Sequence, residues 1–125
     1  MEVILTNMCM VYNDKDEILV MNRTKNDWPG LTFPGGHIEE NENHLEAIIR
    51  EMKEEPGLDI SKIEPCGIFE WNSSPREICL LYKTSSYQGK LKSSSEGEVF
   101  FVNKKDLNKY QFSNDFDKIL DMLLK

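Results

Sequence analysis

Three glutamates lie close together in the segment Arg50-Glu51-Met52-Lys53-Glu54-Glu55-Pro56-Gly57, and their spacing can assemble a site for a hard divalent cation. At about 100° per helical residue, Glu51, Glu54 and Glu55 fall within an arc of roughly 100°. That arc borders an apolar stripe of Leu45, Ile48, Ile49 and Met52, so the acids edge the core instead of pointing away from it. The ordinary reading of three helical glutamates is a solvated face, but helix energetics argue against it here. Carboxylates in the last turns oppose the helix dipole by roughly 0.3–1 kcal/mol each, and the like charges of Glu51 and Glu55 at i, i+4 add to that cost. A Mg²⁺ ion reverses the sign of both effects, because it takes oxygen ligands from carboxylates, backbone carbonyls, water and phosphates. Ahead of the helix, Gly35-Gly36 permits a close or left-handed backbone approach that could aim a carbonyl at the same cation. Alone, Pro34-Gly35-Gly36 is only a turn.

The elements that must hold these groups follow from periodicity. Asn43 with Glu46 three residues on makes a capping box, and the apolar stripe continues at helical spacing, so a helix is expected from about His44 to Glu55. Pro56 and Gly57 stop it, the first by lacking an N–H and the second by supplying a left-handed turn. Upstream, Val3–Tyr12 and Glu17–Arg23 read as strands joined by the polar turn Asn13-Asp14-Lys15-Asp16, and Leu31–Phe33 as a brief pairing segment before a loop to Glu42. Downstream, Lys62–Trp71, Glu77–Thr84 and Glu98–Val102 read as strands, with Asn72–Pro75 as a turn. An amphipathic helix capped at Ser113 or Asn114 carries Phe116, Ile119, Leu120, Met122 and Leu123. Strands that precede, interrupt and follow helices predict an α/β fold, a mixed sheet with helices packed on it.

Composition bounds the class of function. The 125 residues suit one domain, 1–125, and 39% hydrophobic with 30% charged residues excludes global disorder. With 22 acidic against 15 basic residues the net charge is −7, and no basic cluster could track a phosphate backbone, which excludes long nucleic acid as the expected partner. A small polyphosphate remains compatible once divalent cations screen the repulsion. Cys9, Cys66 and Cys79 are odd in number and show no metal or redox spacing. Free thiols in a reducing, cytoplasmic setting are therefore expected. Met1–Val11 has no basic leader, and no apolar run nears the roughly 18 residues of a membrane span, so no membrane association is expected.

Gly36, five residues, Glu42, seven residues and then Arg50-Glu51-Met52-Lys53-Glu54-Glu55-Pro56-Gly57-Leu58 resembles the signature of the Nudix hydrolases. The resemblance implies the family's α/β/α sandwich, with a mixed β-sheet and the signature loop-helix-loop. It implies that Glu51, Glu54, Glu55 and the Gly35 carbonyl hold Mg²⁺, with Mn²⁺ as a substitute. It further implies that Glu42 and Arg50 pair to fix the loop, that Gly36 and Gly57 serve its structure, and that Arg23 meets substrate phosphate. The competing reading of Arg23 is a solvated strand-end residue. Pro56 departs from the usual residue at its position and leaves the aim of Glu55 less defined. Glu54 or Glu55 would act as base toward an attacking water, and Glu98 is expected either as an auxiliary ligand or base, or as an ordinary exposed strand residue.

Specificity lies outside the signature. The flanking segments resemble the MutT-like branch, which implies a nucleoside triphosphate pyrophosphohydrolase releasing monophosphate and pyrophosphate, with 8-oxo-dGTP or related purine nucleotides as substrates and pool sanitation as its role. Asn7, the one amide in a long apolar strand, either meets a buried partner or faces a ligand. Phe33, Trp28 and Trp71 either stack on a base or pack in the core. His37 and His44 lack a further ligand at zinc spacing. The alternatives are ADP-ribose, to which Pro75 is a faint pointer, nucleotide sugars or dinucleoside polyphosphates, and a binding module that does not hydrolyse. No signature glutamate is missing, which argues against the last. A monomer or a homodimer is compatible with all of these.

Overall fold

A computed structural model describes residues 1–125, from Met1 to Lys125. The strand β2 (Glu17–Arg23) is apolar at four consecutive positions, Ile18 to Met21, and all four are buried. Such a run is what a strand covered on both faces requires. Ile18 and Val20 join a cluster with Phe116, Ile119 and Leu123 of helix α2 (Phe116–Leu123). Leu19 and Met21 join a second cluster with Ile48 and Met52 of helix α1 (His44–Glu54). Strand β1 (Val3–Val11) divides in the same way, Met10 toward α2 and Cys9 and Val11 toward α1. The result is a helix, strand and helix sandwich with a core on each side.

The strands belong to three sheets. In the largest, of order β4-β1-β7-β6, β1 pairs in parallel with β7 (Arg76–Thr84) along its whole length, while β4 (Gly35–His37) and β6 (Glu64–Trp71) are antiparallel edges. In the second, of order β3-β2-β9, β3 (Gly30–Thr32) and β9 (Gly97–Asn103) flank β2. The third joins β5 (Leu58–Ser61) to β8 (Ser86–Gly89). A short 3₁₀ turn, Lys104–Lys109, follows β9. No helix is long and apolar enough to cross a membrane.

Three local expectations change. Gly35-Gly36 is a strand and not a free loop, because without side chains these residues can lie against β1: a Cβ at Gly35 would sit 1.9 Å from the Asn7 carbonyl oxygen. The stretch after α1 divides in two, with Leu58 and Ile60 of β5 facing the core before Lys62 reverses the chain at φ +50°. Helix α2 is preceded by Asp115 in left-handed geometry. Ser113 is spent elsewhere, its hydroxyl donating to the Leu31 carbonyl at 2.6 Å to tie β3 to the C-terminal segment.

Helix α1 begins at the expected box: the Asn43 side chain accepts from Glu46 N–H and the Glu46 carboxylate from Asn43 N–H, both at 2.9 Å. Such a cap contributes about 1 kcal/mol. It ends where Gly57, at φ +86°, donates its N–H to the Met52 carbonyl at 3.1 Å.

Candidate active site

A cleft of about 750 Å³ opens between the sheets, within the range of small-ligand sites. One side of it is made by the end of α1 and the β4 backbone, the other by aromatic side chains near the start of α2.

On the α1 side, Arg50 organises the carboxylates. Its guanidinium grips Glu42 in bidentate fashion, at 3.0 Å from Nε and 2.7 Å from Nη2, and Nη2 also donates to the His37 carbonyl at 3.0 Å. This pairing clamps the loop to the helix, and the Arg50 hydrogen bonds hold the Glu42 carboxyl at about 2. Arg50 Nη1 reaches Glu51 Oε1 at 2.9 Å and Glu54 Oε2 at 3.2 Å, so both carboxylates share one nitrogen. Glu51 and Glu55 line the cleft, whereas Glu54 is not among its lining residues and its side chain is 61% exposed. No three acidic, histidine or cysteine side chains converge into a ready cation cage in this arrangement; Glu51 and Glu54 are turned toward Arg50.

The electrostatics of this side are nonetheless those of an anion cluster short of countercharge. Burial, then the neighbouring Glu96 and Glu51 charges, push Glu55 up to about 7. Burial also holds Glu51 above the usual carboxylate range despite Arg50. Gly36 makes room for Glu51, since a Cβ there would fall 2.4 Å from its carboxylate carbon. Hard oxygen donors, desolvated and repelling one another beside a glycine backbone, fit a divalent cation.

Arg23 lines the cleft and is nearly buried, with its side chain 9% exposed. It is engaged by Trp28, whose carbonyl accepts from Nε at 3.2 Å, and by the carboxylates of Asp27 at 3.1 Å and Glu96 at 3.3 Å. Its guanidinium also stacks 3.7 Å above the Trp28 ring, which covers one face of an expected base platform.

Glu98 does not reach this site. On β9, Gly97 opposes Arg23 and Val99 opposes Met21, while Glu98 pairs with Asn22 and is exposed. Strand alternation turns Glu98 to the opposite face from Arg23. Glu96, just before the strand, lines the cleft instead. Alternation signals this, since Glu98 is one position from Val99, which packs with the α1 cluster, and so falls on the other face of β9.

On the α2 side, Phe33 is buried and stacked on Phe116 with ring centroids 4.8 Å apart. Trp71 is fixed by its indole N–H, which donates to Asp115 at 2.8 Å, and it meets Phe69 edge-on. Both line the cleft. So does Glu77, which sequence reasoning passed over; it opposes Trp71 across the β6–β7 pair and accepts from the Thr6 hydroxyl at 3.0 Å. Its only sequence signal is an acid at the start of an apolar strand. Asn7 also lines the cleft, but its Oδ1 accepts from Gly36 N–H at 2.9 Å, on the α1 side. His37 borders the α1 side, His44 meets the Tyr82 hydroxyl at 2.8 Å, and Pro75 lies outside the cleft.

Comparison with known proteins accords with this architecture. The NUDIX domain model matches residues 5–123. The chain is 33% identical to an ADP-ribose pyrophosphatase of Methanocaldococcus jannaschii over 86% of its length and 66% of that protein's. It is 31% identical to the 8-oxo-dGDP phosphatase NUDT18 of Danio rerio over 71% of its length, and the matched part spans 27% of that protein. The MutT NUDIX hydrolase of Burkholderia pseudomallei superposes with a TM-score of 0.85 at 15% identity, over 98% of this chain and 99% of that one. The sandwich, the clamped loop and helix, and the domain match together establish that the chain belongs to the Nudix hydrolase family.

Proposed function

We propose that this protein hydrolyses a phosphoanhydride bond in a purine nucleoside triphosphate, releasing the monophosphate and pyrophosphate. The observation that carries the reading is the gathering of Glu51, Glu55 and Glu96 on the α1 side, where burial and then the neighbouring charges hold the Glu55 carboxyl at about 7, in the cleft that also contains Arg23. Mg²⁺, or Mn²⁺ in its place, would be held by Glu51, Glu54, Glu55 and the Gly35 carbonyl. When bound, it supplies charge neutralisation for the phosphate oxygens and acidity for the water that attacks phosphorus.

The chain's own residues do the rest. Glu55 takes the proton of the attacking water, and Glu96 assists as an auxiliary ligand or base. Arg23 exchanges one of its carboxylate partners for a phosphate oxygen, a charge-assisted bond of the kind arginine forms best. Phe33 and Trp71 bracket the base. Glu77, an acceptor beside them, favours a base edge with adjacent N–H donors, as guanine carries.

A second reading, hydrolysis of ADP-ribose, is favoured by the Methanocaldococcus relative of that name. One panel separates them: nucleoside triphosphates, 8-oxo-dGTP, the corresponding diphosphates, ADP-ribose and dinucleoside polyphosphates, each assayed with Mg²⁺ and resolved by product. The expected result is monophosphate and pyrophosphate from purine triphosphates, abolished by chelator. Turnover that survives chelation, or none with any nucleotide, overturns the proposal.

A further inference from the structure

Asn7 is 2% exposed, and the structure uses only half of its carboxamide. Oδ1 accepts from Gly36 N–H at 2.9 Å. An amide nitrogen could not accept that proton, so the orientation is fixed and Nδ2 is the opposite end. Nδ2 is the one buried side-chain nitrogen or oxygen without a partner. Buried donors are paired in nearly every case, and an orphan calls for an explanation.

The register shows what stands before it. Asn7 and Gly36 are directly opposed on antiparallel strands, and opposed residues project to the same face. On that face, a Cβ at Gly36 would fall 2.5 Å from each carboxylate oxygen of Glu51. The Glu51 carboxylate thus fills the side-chain space of Asn7's own cross-strand partner. Cys9 and Val11, next along the same face of β1, pack with Ile48 and Met52 of α1, which extends this face along Glu51's helix. Arg50 holds Oε1 of Glu51, leaving Oε2 available. Thr6 and Met8 point the other way, toward the aromatic side, so Asn7 is turned away from the side that would read a base.

We propose that Asn7 is a positioning residue for Glu51: Oδ1 pins the Gly36 backbone, and Nδ2 supplies the hydrogen bond that orients the Glu51 carboxylate as a cation ligand. The inference rests on the cation reading given above. A ligating carboxylate is ordinarily hydrogen-bonded by a second group, and loss of that group weakens metal binding about 10–100-fold. Asparagine suits the task because it is a neutral donor. It leaves the full carboxylate charge for the cation, where Arg50 competes for it.

The test is binding, without turnover. Full-length protein stripped with chelator is titrated with Mn²⁺, the free ion being read by its electron paramagnetic resonance. Asn7→Ala is expected to bind at least about tenfold more weakly than wild type; equal affinity overturns the inference. Should that variant not fold, the wild-type Asn7 side-chain NH₂ pair is followed by NMR during Mg²⁺ addition. It is expected to shift in wild type, and to stay in place in Glu51→Gln at Mg²⁺ levels that saturate the backbone signals of Glu54 and Glu55. A pair that ignores Mg²⁺ while those backbone signals move also overturns it. Wild type that binds neither ion sinks the cation reading along with this one, whereas normal wild-type binding matched by Asn7→Ala sinks this one alone.

Discussion

The two sides of the cleft are made in opposite ways. The α1 side comes mainly from one continuous stretch, in which β4, the clamped loop and α1 bring Gly35, Gly36, Glu51 and Glu55 together, with Asn7 of β1, Arg23 of β2 and Glu96 added from outside it. The α2 side is gathered from separate elements: Phe33 follows β3, Trp71 ends β6, Glu77 lies near the start of β7, and Phe116 opens α2. The first side is charged and internally repulsive; the second is largely aromatic, with the carboxylates of Glu77 and Asp115 beside the Trp71 ring. On the proposed function, bond cleavage and selection of the substrate fall to structures that can change independently.

That separation can be broken by experiment. The largest effect is expected from Glu55→Gln, which should lower kcat by about 10²–10⁴-fold while leaving KM and the circular dichroism spectrum near wild type. Activity within threefold of wild type would remove Glu55 from the chemistry. Trp71→Leu should do the reverse, raising KM by about tenfold, as expected for losing one base-stacking contact of about 1–3 kcal/mol, with kcat little changed. A parallel fall in kcat would mean that the two sides are coupled.

The smallest effect is on stability without metal. The Glu55 carboxyl lies at about 7 in the folded chain against an ordinary 4.5. Below 4.5 both the folded and unfolded chains hold the proton, and Glu55 makes no difference. As the pH rises from there to 7 the unfolded chain releases its proton first, so folding loses stability. In chelator, Glu55→Gln should therefore melt higher than wild type above pH 7, with the gain vanishing below pH 4.5. A gain that is independent of pH would point to packing instead of charge.

The same contrast governs what was legible in the sequence. Capping, the helix stop and the glutamate arc are relations among residues a few positions apart, so the α1 side could be read almost whole. Glu77 and Trp71 meet only through the β6–β7 register, and nothing local announces it. Glu98 was misplaced for a related reason: which residues of β9 face α1 follows from strand alternation and register, which a short motif does not carry, and Glu96 lines the cleft from just before the strand begins. Strands β5 and β8 escaped notice because each is only four residues long and their pairing joins distant segments.

The β1–β7 ladder also has a bearing on how the molecule comes to be folded. It joins the first strand to one made much later, as the contact between Thr6 and Glu77, 71 positions apart, illustrates. Chain closure over such a span is slow compared with forming a hairpin or a helix. During synthesis the signature loop and helix emerge well before Arg76, while β1 still lacks its main neighbour. The nascent chain thus carries an apolar strand with an open edge, the kind of surface that molecular chaperones engage and that aggregation exploits.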